Sequence, residues 1–256
     1  MDLGLSGKRV LITGGSGGIG AAIARALAAE GARVAINFVG DRAPAEQLAS
    51  ELSGARLFEC DISDPAHVAR MFTLLDETWQ GLDILINNAG IDGPRAVSWE
   101  ADPATWAHVL DVNLKGAFYC AREALARMVD ARRGVILNTT SVHEVIPWTG
   151  YGAYAASKAG LAMLAKTMAQ EAAPHGVRVL NIAPGAIKTP INSAVWSDVA
   201  GLADLRTKIP LGRMGTPEEV ARMVTVLVSE AASYMTGTSV MIDGGMTDYP
   251  AFAHGG

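Results

Sequence analysis

Residues 8–20 constrain this chain more than any other stretch. A short apolar run, Lys8-Arg9-Val10-Leu11-Ile12-Thr13, ends in Gly14-Gly15-Ser16-Gly17-Gly18-Ile19-Gly20. An alanine-rich helical pattern follows from Ala21 to Glu30, with Ile23 and Leu27 on its buried side. Strand, glycine turn and helix in that order set a helix N-terminus at the end of a strand. Glycine allows the tight turn and lets backbone N–H groups come close to a pyrophosphate. The helix end adds unpaired donors and a partial positive charge. The glycines read as Gly15-x-Gly17-x-x-Gly20 or as Thr13-Gly14-x-x-x-Gly18-x-Gly20. Gly14, Ser16, Gly18, Ile19 and Gly20 are the dinucleotide-binding candidates; a purely structural turn is the plainer alternative. No Lys-Ser/Thr pair follows, which argues against a nucleotide-triphosphate loop.

The alternation continues. Strands are expected at Arg33–Phe38, Arg56–Cys60, Asp83–Asn87, Gly134–Asn138, Val177–Ile182 and Ser239–Ile242. Helices are expected at Pro44–Leu52, Pro65–Trp79, Pro103–Met128 and from near Gly150, with Pro217 and the acids Glu218 and Glu219 opening another. Strands separated by crossover-length helices imply a parallel sheet with ligands at its carboxyl edge. No Pro/Ser-rich linker interrupts the 256 residues, half of which are hydrophobic. The expectation is therefore one α/β domain over residues 1–256, a Rossmann-type doubly wound parallel sheet flanked by helices, with a lid at about 190–213. A net charge of −5 without a basic cluster excludes nucleic acid as an expected partner. The N-terminus lacks a signal-peptide core and no apolar run is long enough to span a bilayer, so a cytoplasmic protein is expected, with no membrane partner. Cys60 and Cys120 read as reduced, buried thiols, and five scattered histidines offer no metal-ligand spacing.

Chemistry concentrates further along. Tyr154 and Lys158 lie four residues apart in an alanine-rich helical segment, so they share a face. A free phenol, with a pKa of about 10, is a poor base at neutral pH. A cation one turn away favours the phenolate, and the Ser141 hydroxyl can hold the reacting oxygen in line. Cofactor choice turns on the end of the second strand, where an acid would bind the adenosine ribose hydroxyls. Phe38 stands there instead, and Arg42 is the nearest cation; it reads either as a 2′-phosphate ligand or as a solvated side chain. NADP(H) is the expected preference, with NAD(H) also usable.

Taken together, Thr13-Gly14-x-x-x-Gly18-x-Gly20, Asn87-Asn88-Ala89-Gly90, Asn113, Ser141, Tyr154-x-x-x-Lys158 and Pro184-Gly185 resemble the ordered motifs of the short-chain dehydrogenases/reductases. The likeness runs from about Leu5 to Gly245. A narrower one, in Ser141–Trp148 and Asp243–Pro250, is to bacterial glucose 1-dehydrogenases. The resemblance implies Asn113, Ser141, Tyr154 and Lys158 as the catalytic set, with Asn113 holding a proton-relay water or, alternatively, tying helix to strand. Asp61 and Ile62 would meet the adenine, though Asp61 also suits a helix-opening turn. Asn87, Ala89 and Gly90 would line the adenosine side or simply lock the sheet. Pro184, Gly185, Ile187 and Thr189 would meet the nicotinamide carboxamide, and Lys158 its ribose. His143 would face a sugar or pack on Trp148, and Asp92 replaces a glutamate usual in those relatives. The implied reaction is hydride transfer with an alcohol or carbonyl, led by oxidation of an aldose at C1. Reduction of a ketone or 3-oxoacyl substrate, or dinucleotide sensing without turnover, are the alternatives. A homotetramer is implied as well, with the Met246–Phe252 tail capping a neighbouring site or fraying.

Overall fold

The computed structural model describes residues 2–190 and 193–248. Its strands are β1 (Arg9–Ile12), β2 (Arg33–Phe38), β3 (Arg56–Glu59), β4 (Ile84–Asn87), β5 (Gly134–Thr139), β6 (Val177–Pro184) and β7 (Ser239–Ile242). They form one sheet in the order β3-β2-β1-β4-β5-β6-β7, parallel throughout. The chain winds outward from β1 to β3, then restarts on the other side of β1 with β4. A crevice opens where the winding reverses, beyond the carboxyl ends of β1 and β4.

The helices are α1 (Gly18–Ala29), α2 (Ala43–Glu51), α3 (Pro65–Trp79), α4 (Pro103–Leu110), α5 (Ala117–Ala131), α6 (Gly152–Ala172), α7 (Ser193–Ser197), α8 (Val199–Thr207) and α9 (Pro217–Val228). Side chains alternate across each strand, so consecutive residues serve opposite faces. Val10, Ile12 and Ile36 pack with Ile23 and Leu27 of α1 and Val220 and Val224 of α9. Leu11, Ala35 and Leu85 pack on the other face with Phe72 of α3, Cys120 and Ala124 of α5 and Met168 of α6. Each fully buried Leu, Ile or Phe contributes about 1.5–3 kcal/mol, so these two layers fix the strand register that aims the carboxyl edge.

Two boundaries differ from expectation for physical reasons. Helix α1 begins at Gly18 rather than Ala21, which draws Gly18, Ile19 and Gly20 into its first turn. The expected helix Pro103–Met128 is broken by a π-helical turn at Asp111–Gly116. A Cβ at Gly116 would lie 2.8 Å from Ile62 Cγ1, so the helix passes too close to that segment for any larger residue. Cys60 and Cys120 are buried and unpaired, and burial pushes the Cys60 thiol to about 12. Among the described residues no helix is long and apolar enough to cross a membrane, and no group of histidines, cysteines and acids could hold a metal ion.

Candidate active site

The turn after β1 is locked by the end of β4. Thr13 Oγ1 accepts from the backbone N–H groups of Asn88 (3.0 Å) and Ala89 (3.1 Å), and Asn88 Nδ2 donates to the carbonyls of Thr13 and Gly14. Gly14 has φ +59°, and a Cβ there would stand 2.8 Å from Ala89 Cα. A Cβ at Gly20 would run into the Gly14 carbonyl oxygen. Gly17, by contrast, opens onto free space. It is the N-cap of α1, with no side-chain cap and no acid in the first turn, whereas α3 and α9 are capped by Asp64 and Thr216. An open, uncapped helix N-terminus beside backbone in close approach is the chemistry a pyrophosphate requires. These residues fit a dinucleotide. Thr189, from the segment expected at the nicotinamide, lies 3.7 Å from where a Gly18 Cβ would be. The fold thus joins two stretches about 170 residues apart in sequence.

At the expected adenosine end, Phe38 is buried and Val39 exposed. The Arg42 guanidinium lies 5.9 Å from the centre of the Phe38 ring and is paired with Glu46 at 2.7 Å. Asp61 accepts from Ser63 N (2.9 Å) and Ser63 Oγ (2.7 Å), the helix-opening turn foreseen as its alternative role, and these bonds hold its carboxyl below the usual range. Ile62 is buried beside Gly116.

The end of β5 and the start of α6 carry the candidate reactive groups. Lys158 is buried; its Nζ donates to the Thr139 carbonyl at 2.9 Å and lies 5.5 Å from the centre of the Tyr154 ring. Burial lowers its pKa to about 8, against the opposing charges of Asp92 and Glu144. Tyr154 departs from expectation: burial drives its phenol up to about 12, a hydrogen bond with the Ser141 hydroxyl pulls it down, and Asp92 pushes it up. The ammonium spends a proton on the Thr139 carbonyl, and burial of the phenol outweighs the acidifying groups. Ser141 Oγ also accepts from His143 N at 3.2 Å.

Asn113, fully buried in the π turn, grips Ile91 from both sides: Oδ1 accepts from Ile91 N (2.8 Å) and Nδ2 donates to Ile91 O (2.9 Å). Its Nδ2 also reaches Ser157 Oγ (3.1 Å), which donates to the Tyr154 carbonyl (2.7 Å). The asparagine therefore sets the Gly90–Asp92 loop against the helix bearing Tyr154 and Lys158. Asn87 Nδ2 donates to Asn138 Oδ1, Asn138 Nδ2 to Asn181 Oδ1, and Asn181 Nδ2 to Ser239 Oγ, each near 3.0–3.1 Å. This ladder of side-chain amides crosses β4 to β7 just below the reactive edge.

Three rings complete the wall. His143 stacks on Trp148 with centroids 4.5 Å apart at 11°, and Trp148 stacks on Tyr151 at 3.9 Å and 24°. His143 and Trp148 both lie edgewise to Tyr154, at 6.2 and 5.7 Å. His143 thus both packs on Trp148 and borders the reactive tyrosine. Its Nδ1 lies 3.1 Å from the Ile146 carbonyl, so the neutral ring donates there and keeps Nε2 as an acceptor. Burial lowers its pKa and raises that of Asp92, which couples electrostatically to both His143 and Lys158. Packing of His143 on Trp148 was one of the two sequence expectations; the continuation of the stack to Tyr151 was not, although Tyr151 sits only three residues before Tyr154. The amide ladder had a readable signal: Asn87, Asn138 and Asn181 each interrupt an apolar strand run.

After β6, Gly185 N donates to Ile242 O (3.0 Å), while Lys188 N donates to Gly215 O and Gly215 N to Ala186 O (both 2.9 Å). Trp196 Nε1 donates to the Thr189 carbonyl (2.9 Å), and Lys188 Nζ lies 4.6 Å from the centre of the Trp196 ring. The expected lid therefore starts from a tethered base; its residues 191 and 192 lie outside the described residues, as do Tyr249–Phe252 of the tail. A groove of about 570 Å³ opens at the opposite, amino edge of the sheet. There Arg178 spends its guanidinium on the carbonyls of Leu227, Ser229 and Met235, an internal capping role remote from the reactive groups.

Comparison with known proteins agrees with this geometry. A family model described as Enoyl-(Acyl carrier protein) reductase matches residues 14–247. The chain is 44% identical over 256 residues to 3beta-hydroxysteroid dehydrogenase 1 of Eggerthella lenta, covering 98% of each. It is 37% identical over 252 residues to Glucose 1-dehydrogenase 2 of Bacillus subtilis, covering 96% of this chain and 97% of that one. The solved structure of levodione reductase superposes with a TM-score of 0.89 at 33% identity, over 95% of this chain and 99% of the other. The chain belongs to the short-chain dehydrogenase/reductase family, NAD(P)(H)-dependent oxidoreductases, and is a dehydrogenase/reductase acting on CH–OH groups and the matching carbonyls.

Proposed function

We propose that this enzyme oxidises a hydroxyl borne on a saturated ring, the C1 hydroxyl of an aldose in its pyranose form being one such group. The observation that carries the reading is the His143–Trp148–Tyr151 stack standing edgewise to Tyr154. A rigid aromatic wall suits a flat-sided ring better than a flexible chain, because it meets the ring without being ordered on binding. Two relatives support the ring: one is named for a hydroxysteroid and the other for glucose. His143 Nε2 and Asp92 supply acceptors for further hydroxyls on the substrate.

Ser141 and Tyr154 hold the reacting oxygen, and Tyr154 exchanges its proton. Lys158 keeps a positive charge against the ring while the pH stays below its pKa of about 8. Asn113 keeps the Gly90–Asp92 loop and α6 in register. The nicotinamide, when bound, takes or gives the hydride. Gly14, Ser16, Gly18, Ile19 and Gly20 receive the pyrophosphate, Asp61, Ile62, Asn87, Ala89 and Gly90 border the adenosine side, and Pro184, Gly185, Ile187 and Thr189 border the carboxamide. NADP(H) is preferred, with NAD(H) also used: an exposed pair such as Arg42–Glu46 is worth only about 0.3–0.5 kcal/mol, less than the roughly 1.5–3 kcal/mol of a hydrogen bond to a charged phosphate, so Arg42 can change partners. The reverse reaction, reduction of a cyclic ketone or 3-oxoacyl group, is the second reading. It is favoured by a phenol pushed to about 12, which keeps the proton a carbonyl oxygen needs. The segment 190–213 serves as lid over a single domain. The protein is a cytoplasmic homotetramer on this reading; Phe118 and Met163, exposed on α5 and α6, support the association of subunits and not the location.

The test follows nicotinamide absorbance with both cofactors against cyclic alcohols, aldoses, linear secondary alcohols and the matching ketones. Wild-type protein is expected to turn over the ring compounds best, and Tyr154→Phe to lose about 10²–10⁴-fold in rate with cofactor affinity retained. Equal turnover of linear alcohols removes the ring assignment, and an active Tyr154→Phe removes the catalytic one.

A further inference from the structure

The turn that follows β7 occupies a junction between the lid and the cofactor segment. The Asp243 carboxylate closes it, accepting from Gly245 N (2.9 Å), Thr247 N (2.7 Å) and Thr247 Oγ1 (2.8 Å). Gly244 and Gly245 both take left-handed φ, +64° and +90°; a Cβ on the first would meet Ile209 Cγ2 and on the second Pro210 Cγ, each at 2.8 Å. The Gly244 carbonyl accepts from Leu211 N at 3.1 Å. On this side the turn holds the far end of the lid.

On its other side it meets Pro184-Gly185-Ala186. The Ala186 N–H, part-buried, donates to the thioether of Met246, N to Sδ 3.3 Å. The same sulfur lies 2.9 Å from where a Gly185 Cβ would stand, so Gly185 is what admits it. A thioether is a weak acceptor, but among side chains it is soft and adaptable enough to fill this gap while pairing a backbone donor. From the opposite side, Gly215 pairs with the Ala186 carbonyl and the Lys188 N–H.

We propose that Met246 is a positioning residue for the nicotinamide end of the cofactor: its sulfur fixes the Ala186 peptide, and with it the Ile187–Thr189 backbone. The proposal rests on the reading that this segment borders the nicotinamide. It makes the C-terminal turn part of the cofactor site and not merely the end of the fold.

The experiment compares binding of the reduced dinucleotide with binding of ADP-ribose, and of its 2′-phosphate form, which lack the nicotinamide ring. Affinities are read by calorimetry on the full chain. Met246→Leu keeps the apolar volume and removes the acceptor; Met246→Gln restores an acceptor of similar length. Met246→Leu is expected to weaken the dinucleotide about fivefold, the low end for a part-buried donor left unpaired, and to leave ADP-ribose binding unchanged. Met246→Gln is expected to recover most of the loss. Equal weakening of both ligands would mark a merely structural role and overturn the proposal, as would no change in either. Wild-type protein that binds ADP-ribose as tightly as the dinucleotide would instead overturn the underlying reading of Pro184–Thr189, and the proposal with it.

Discussion

The two halves of the cleft are made of different material. On the side of β1, the site is backbone: Gly14, Gly17 and Gly20 leave N–H groups and open space where side chains would stand, and the Thr13–Asn88 bonds freeze the turn. On the side of β5 and α6, the site is side chain: a buried ammonium, a half-buried phenol, a carboxyl and three stacked rings. Backbone approach tolerates no added atom, whereas a wall of rings can lose one member and still stand. On the proposed reading, the first half serves the dinucleotide and the second the substrate, and the relatives are named for different substrates.

That contrast breaks most visibly at Gly20. In Gly20→Ala the new methyl collides with the Gly14 carbonyl and comes within 2.7 Å of Asn88 Nδ2, so the turn and the end of β4 must both move. Overpacking of this kind costs about 1–3 kcal/mol, and the distortion falls on the proposed pyrophosphate cradle itself. Urea unfolding should show a lower midpoint with an unchanged slope, and dinucleotide affinity should fall together with ADP-ribose affinity. Unaltered stability and binding would show that the cradle is not backbone-limited.

Trp148→Ala sharpens the same comparison from the other half. Each aromatic pair contributes about 0.5–1.5 kcal/mol beyond burial, and this change removes two stacked partners, freeing His143 and Tyr151. The KM for ring substrates is expected to rise by roughly tenfold, while dinucleotide affinity and the unfolding midpoint change little. If cofactor binding falls in parallel, the two halves are mechanically one, and the division drawn between them is wrong.

The same division decides how much could be read in advance. The sheet, its parallel order and the glycine turn were legible because each depends on local pattern: apolar strand runs, crossover-length helices, and Thr13-Gly14 ahead of Gly18 and Gly20. Tyr154 and Lys158 were legible as a pair because a helix fixes the i, i+4 relation. What the pattern lacked was surroundings. The π turn at Asp111–Gly116 ends where Gly116 passes close to Ile62, about 50 residues earlier. The stacking of Trp148 between His143 and Tyr151 depends on the path of a loop that no periodicity describes. The phenol moved up rather than down because burial, a tertiary property, outweighs the neighbours that sequence spacing can name.

The smallest expected effect lies at Asp92, which among the described residues acts electrostatically on His143, Tyr154 and Lys158 alike. Its carboxylate pushes up both Tyr154 and Lys158, since a negative charge favours the protonated form of each. In Asp92→Asn that charge is gone, so both pKa values fall, and the rising limb of the pH profile for alcohol oxidation moves to lower pH. The stability consequence has the opposite origin. Burial holds the folded-state pKa of Asp92 above its usual value, so ionising it opposes folding once the pH exceeds the unfolded-state value of about 3.9. The asparagine variant is then slightly more stable than wild type near neutral pH, and the advantage vanishes as the pH falls below that value. Chemical unfolding at two pH values and a kcat/KM profile measure the two effects on one variant. Were the profile to move while the stability difference stayed constant with pH, Asp92 would act on the reactive pair through geometry and not through charge, and the second half of the cleft would be held together by contact alone.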